Sequence, residues 1–317
     1  MTTNLYPPPY DAEIAALFRS RYSGGSTPTR DSLESLRLAA SSGDAAREEL
    51  APYRTREELV PAGDGALVPL TVVQGSPSPA GPVIFHTHGG GMVAGDRWTG
   101  ITPFLDWVDR FDAVLVTVDY RLAPEFPDPF PREDAYAALT WISEDEVGES
   151  RRIFVAGQSA GGGITASLAL MARDRGGPLI HGQLLLSPML DHRNTSVSAR
   201  QFDGTGGWDR AANAFGWEAL LGHGHAVRSV PAHASPAWVQ DLSNLPPTFL
   251  ECGTAEVFRD ETVSYAGRLW ESGNDAELHM WAGGFHRFDS LAPDSALALS
   301  TVDARTSWLR RQLSKNL

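Results

Sequence analysis

Ser159 stands at the centre of the run Gly157-Gln158-Ser159-Ala160-Gly161-Gly162-Gly163. An apolar run, Arg152 to Ala156, precedes it, and Ile164 to Asp174 follows with helical spacing and a polar end. The pattern predicts a strand, a sharp turn and a helix, with the serine hydroxyl at the apex. A turn of that kind exposes a nucleophile, and glycines at 157 and 161 suit a point where strand and helix pass too closely for side chains. The five-residue pattern is weak by itself. A serine nucleophile also needs donors for an oxyanion, a base and a carboxylate, and the rest of the chain must supply them.

The donors have one candidate source. His88-Gly89-Gly90-Gly91 directly follows Val83 to His88, which reads as a short strand. Glycines let the backbone approach a ligand and turn its N–H groups toward developing negative charge. The other readings are a plain turn and a phosphate-cradling loop. The phosphate loop wants a Lys beside a Ser or Thr on the next helix, and no Lys is present.

Three motifs in this order carry a resemblance: His88-Gly-Gly-Gly91, Asp119-Tyr-Arg-Leu-Ala-Pro-Glu125, and the GxSAGG form at 157–162. Ala234-Ser-Pro236, Leu245-Pro-Pro247 and Glu256-Val-Phe-Arg-Asp-Glu261 continue it. Over roughly residues 55–290 the chain resembles the hormone-sensitive-lipase family of esterases. Gln158 and the triple glycine resemble its bacterial heroin esterase branch; most relatives carry Asp before the serine. The resemblance implies an α/β-hydrolase fold, with a mostly parallel eight-stranded sheet flanked by helices and a helical cap. It implies an oxyanion hole from the amides of Gly90, Gly91 and Ala160, with His88 and Gly89 in support.

The order of catalytic residues in this fold is Ser, then Asp or Glu, then His. Glu256 follows the strand-like run Thr248 to Gly253 and aligns with the first Asp of the family's D-x-L-R-D-E pattern. It is the expected acid, and Asp260, one helical turn further on, is the alternative. His286 follows the run Glu277 to Trp281 in a loop with Gly283 and Gly284, and is the expected base. The other histidines have plainer readings. His223, His225 and His233 look like loop residues, and no third ligand at metal spacing accompanies them. His86 and His88, read in one strand and pointing the same way, lack a nearby Cys or carboxylate, so no metal site is expected. Arg121 and Glu125 read as holding the proline-dense loop, and the aromatics Trp98, Phe202, Trp208 and Phe215 are candidates for the substrate pocket. Packing the cap onto the core explains any one of them equally well.

Elsewhere the chain alternates strand and helix signals, as in a parallel sheet covered on both faces. The 317 residues divide into N-terminal helices (1–50) forming part of a cap, a catalytic core (51–190 and 234–317) and a cap insertion (191–233). Asp11 to Arg21 and Thr29 to Ala40 read as helices separated by Gly24-Gly25. The net charge of −13 argues against nucleic acid and anionic membranes as partners. The single cysteine, Cys252, permits no disulfide within the chain and reads as a buried small hydrophobe. No signal peptide or spanning segment is read, so a cytoplasmic location is expected.

The expected activity is a serine carboxylesterase acting on small short-chain acyl esters through an acyl-enzyme, with no cofactor. A non-catalytic small-molecule receptor is the alternative, as the plant gibberellin receptor resembles this family but lacks the histidine; an amidase or peptidase is another. Relatives often dimerise through the last strand and helix, so a homodimer is the analogy's implication.

Overall fold

The computed structural model describes residues 5–22, 28–145, 147–148 and 151–315. Gly24-Gly25 and Glu146 lie outside the described residues. Three short helices come first: α1 (Ala15–Tyr22), α2 (Leu33–Ala40) and α3 (Gly43–Leu50). The strands β1 (Arg54–Pro61), β2 (Leu67–Gln74) and β3 (Val83–Thr87) follow, then α4 (Thr102–Phe111), β4 (Val114–Val118) and α5 (Phe130–Glu144). Next come β5 (Ile153–Gln158), α6 (Ala160–Arg175), β6 (Gly182–Leu186), α7 (Val197–Gln201) and α8 (Arg210–Leu221). The chain closes with β7 (Thr248–Gly253), α9 (Arg259–Glu271), β8 (Ala276–Trp281), α10 (Phe288–Leu291) and α11 (Ala296–Ser314).

The sheet has eight strands in the order β1-β2-β4-β3-β5-β6-β7-β8. β2 pairs antiparallel with β1 and β4, and the pairs from β4 to β8 are parallel. Each central strand sends alternate residues to opposite faces. Phe85, Val116, Val155 and Leu185 join one apolar cluster with residues of α5, α6 and α9. Ile84, Leu115, Phe154 and Leu184 join the other, with Phe104 and Trp107 of α4 and Trp308 of α11. Both faces are therefore covered, which is why these strands read as unbroken apolar runs.

The sequence reading missed β1. Only its last residues are apolar, and all but Val60 are exposed or half-exposed, as an edge strand tolerates. Its partner β2 is paired with it along its whole length, from Leu67 to Gln74. α4 begins at Thr102, after Gly100 turns the chain at φ 83°, and Pro103 occupies its first turn. α7 and α8 are held in place by Ser196 and Asp209, whose side chains accept from the N–H groups of Ala199 and Ala212. Phe202 and Trp217 from this segment are fully buried in the cluster that includes Phe85. α1 is tied in differently: Ile14 and Phe18 pack on Phe285 and Phe288, beside His286.

Candidate active site

At the end of β5 the backbone of Ser159 takes φ 60°, ψ −124°, outside the normal range for a residue with a side chain. A Cβ on Gly157 would lie 2.4 Å from the Gly161 backbone, and one on Gly161 would lie 2.0 Å from Thr87 O. Only glycine permits that crossing. Thr87 Oγ1 then bonds Gly161 O and Thr165 Oγ1, each at 2.8 Å, pinning α6 against β3.

Two loops at neighbouring strand ends approach the serine. Ala255 N donates to Gly284 O at 3.0 Å, and Gly283 N to Thr254 Oγ1 at 2.8 Å, so the turn after β7 and the loop after β8 are fastened together. From these loops His286 Nε2 reaches Ser159 Oγ at 3.0 Å, and His286 Nδ1 reaches Glu256 Oε2 at 2.8 Å. Ser159 is 4% exposed, Glu256 2% and His286 5%, so the chain of hydrogen bonds is shielded from water. The Cys252 thiol donates to the other oxygen, Glu256 Oε1, and burial pushes that thiol well above its usual range. Asp260 points elsewhere: its carboxylate accepts from Ser198 N at 2.7 Å and pairs with Arg259. Glu261, buried nearby, accepts from Leu190 N at 2.7 Å, and burial pushes its carboxyl well above the usual range.

Gly90 and Gly91 adopt φ 122° and 64° and face the serine. Among the described residues, the N–H groups of Gly90, Gly91 and Ala160 donate to no protein acceptor. Gly90 and Gly91 line the same cavity as Ser159, and Ala160 follows it in the chain. His88 braces the loop: its ring stacks on Tyr120 at 4.1 Å, its Nδ1 lies 2.8 Å from Gly89 O, and Tyr120 Oη donates to His88 O at 2.7 Å. The His86 ring lies instead against Phe104, with Nδ1 3.1 Å from Thr117 Oγ1. The two rings take different partners, His86 on Thr117 and Phe104 and His88 on Gly89 and Tyr120. Among the described residues no three His, Cys, Asp or Glu side chains converge as metal ligands.

The cavity over Ser159 measures about 150 Å³. Tyr22, Leu36 and Ala40 from the N-terminal helices line it with Gly91, Trp208 and Arg287. Of the four aromatics expected there, only Trp208 takes that place. Trp98 lines a separate cavity of about 490 Å³ and stacks under Arg97. Phe202 is consumed by the core, and Phe215 packs against it. Arg121 pairs with Asp134 and Asp64, and Glu125 with Arg37, so both hold their loop.

Residues 84–290 match the family described as alpha/beta hydrolase fold. Esterase LipI of Mycobacterium tuberculosis is 38% identical over 204 residues, 62% of this chain and 62% of its own length. The chain therefore spans less than two thirds of that curated relative. The structure of a bacterial heroin esterase superposes with a TM-score of 0.85 at 32% identity, covering 96% of this chain and 98% of that one. The gibberellin receptor GID1A of Arabidopsis thaliana is 29% identical over 208 residues, 62% of this chain and 59% of its own length. With this sheet order, this serine turn and these matches, the chain belongs to the α/β-hydrolase fold family, in its hormone-sensitive-lipase-like branch.

Proposed function

We propose that the protein is a serine carboxylesterase that hydrolyses short-chain acyl esters through an acyl-enzyme. The unbroken hydrogen-bond chain from Ser159 Oγ through His286 to Glu256 carries the reading. In the first step Ser159 Oγ attacks the ester carbonyl while His286 Nε2 takes its proton. The developing oxyanion is met by the amides of Gly90, Gly91 and Ala160. His286 returns the proton to the departing alkoxide, and Glu256 holds Nδ1–H so that the charged imidazole is stabilised. Water, activated by the same His286, then attacks the acyl-serine and releases the acid. The small cavity over the serine favours short acyl groups, with Trp208 against the bound acyl or alcohol part.

The names of LipI and of the heroin esterase agree with this reading. The receptor reading has support in the plant relative's name, but a histidine seated 3.0 Å from the serine favours turnover over mere binding. The deciding experiment is a p-nitrophenyl ester series from acetate to laurate, with the protein digested after quenching during turnover of the butyrate. The expected result is fastest release at the short end and a butyryl adduct on the peptide bearing Ser159. No turnover of any ester sinks the esterase reading; turnover without that adduct sinks the acyl-enzyme.

The glycine loop makes its own prediction. A Cβ on Gly91 would sit 2.4 Å from the Trp208 ring at a left-handed φ, so Gly91→Ala must shift the loop or the indole. Loss of one oxyanion donor's alignment lowers kcat roughly a hundredfold. Gly176→Ala has a similar φ of 76° but open space around it, so it should cost about 1 kcal/mol of stability and leave kcat unchanged. Equal kinetic effects of the two substitutions would remove Gly91 from the oxyanion hole.

A further inference from the structure

A buried polar network joins the serine turn to the segment after His286 and to the strand that leads to Glu256. Gln158 Nε2, one residue before Ser159, donates to Asp289 Oδ1 at 3.3 Å. Asp289 Oδ2 accepts from Arg305 Nη2 at 2.6 Å, and Arg305 Nε donates to Glu251 Oε1 at 2.9 Å. Trp281 Nε1 donates to Glu251 Oε2 at 3.0 Å. Gln158 thus belongs to the serine turn, Asp289 to the helix after the His286 loop, and Glu251 to the strand leading to Glu256. Arg305, from α11, joins them. Arg305 is 3% exposed, Glu251 3% and Asp289 9%.

One guanidinium serves two carboxylates. Burial pushes Glu251 up, and the Arg305 charge only partly offsets it. Burial acts on Asp289 in the same direction, but the Arg305 charge and hydrogen bond outweigh it and hold that carboxyl below its ordinary value. Asp289 therefore stays anionic; besides Arg305 and the Ser290 backbone N–H, its Oδ1 is met by the uncharged amide of Gln158. A carboxylate in the amide's place would bring a third negative group beside two carboxylates that share the Arg305 guanidinium, with Arg287 as the other cation acting on Asp289.

We propose that Gln158 is a positioning residue: its neutral amide ties the serine turn to the Asp289–Arg305–Glu251 clamp and so keeps Ser159 Oγ in line with His286. The inference rests on the catalytic reading of Ser159 and His286. The titratable and charged groups around Gln158 are Asp289 on α10, Arg305 on α11, Glu251 on β7, His86 on β3, Tyr22 on α1, and His286 and Arg287 in the intervening loop. Burial pushes His86 down to about 3, so it stays neutral throughout the test range.

The test is Gln158→Glu, which preserves shape and adds a charge, compared with wild type from pH 5 to pH 8.5. The variant-to-wild-type ratio of kcat/KM cancels whatever titration the two proteins share. Facing Asp289, the introduced carboxyl has a folded pKa raised above its unfolded value. Its penalty is therefore absent below the unfolded pKa and grows as pH rises toward the folded one. A deficit of roughly tenfold at pH 8 that narrows toward pH 5 is expected, with kcat moving more than KM. The gap in thermal midpoint between the two proteins should narrow in the same direction. Gln158→Ala, which removes the donor without adding charge, should lower kcat by a factor that does not change with pH. A ratio and a midpoint gap that are both flat across the range, or a Gln158→Glu protein as active as wild type at pH 8, overturn the proposal. Should Ser159→Ala retain wild-type hydrolysis, the catalytic reading has failed, and the midpoint series alone still decides whether Gln158 is held by Asp289.

Discussion

Ser159→Ala is expected to lower turnover of p-nitrophenyl butyrate by about 10⁴ to 10⁶-fold while leaving the fold intact. The magnitude follows from what the hydroxyl does in the proposed mechanism. It is the atom that forms the new bond, and the imidazole 3.0 Å away has no proton to accept without it. The oxyanion amides and the cavity remain, so the variant keeps its affinity for short esters and a residual rate above that of water. The residue is 4% exposed and its backbone is held by Ser159 N to Leu186 O at 2.9 Å, so loss of one oxygen disturbs little packing. Steady-state kinetics with a thermal melt as control measures this. A variant within tenfold of wild type, with an unchanged melt, shows that the nucleophile lies elsewhere.

The second large effect separates two acids that the sequence left open. Glu256→Gln should lower kcat about 10⁴-fold with little change in KM. Gln occupies nearly the same volume, but its neutral amide no longer stabilises a charged imidazole. It also permits the tautomer with the proton on the wrong ring nitrogen. Asp260→Asn should cost less than about tenfold, because its carboxylate supports the Ser198 N–H on α7 and the Arg259 side chain, and Asn can still accept from the N–H. Measuring kcat for both variants beside wild type decides the assignment. A larger loss at Asp260 than at Glu256 reverses it.

Much of this site was legible because its chemistry depends on local backbone geometry, and such geometry has strict residue requirements. The close crossing behind Ser159 admits only glycine at 157 and 161, so the turn shows in the sequence. The loop at 88–91 shows for the same reason, since Gly90 and Gly91 sit at φ values that other residues rarely adopt. The buried strands were legible because both faces of the sheet are covered. β1 was not, because an edge strand takes its order from pairing with β2 rather than from an apolar pattern.

What the sequence determined by itself is therefore the family, the serine turn, the glycine loop and the histidine that follows the last strand. Each rests on constraints between residues close in the chain, or on motifs in a set order. The tertiary structure alone decided which carboxylate meets His286, since Glu256 and Asp260 differ only in where one helical turn points them. It alone separated Trp208, over the serine, from Trp98, Phe202 and Phe215, because a large aromatic packs equally well in a core or against a cavity. It alone joined Gln158 to Asp289, Arg305 and Glu251, through contacts between residues distant in the chain. Such contacts leave no periodic or local mark on the sequence, because they are fixed only when the sheet and its closing helix come together.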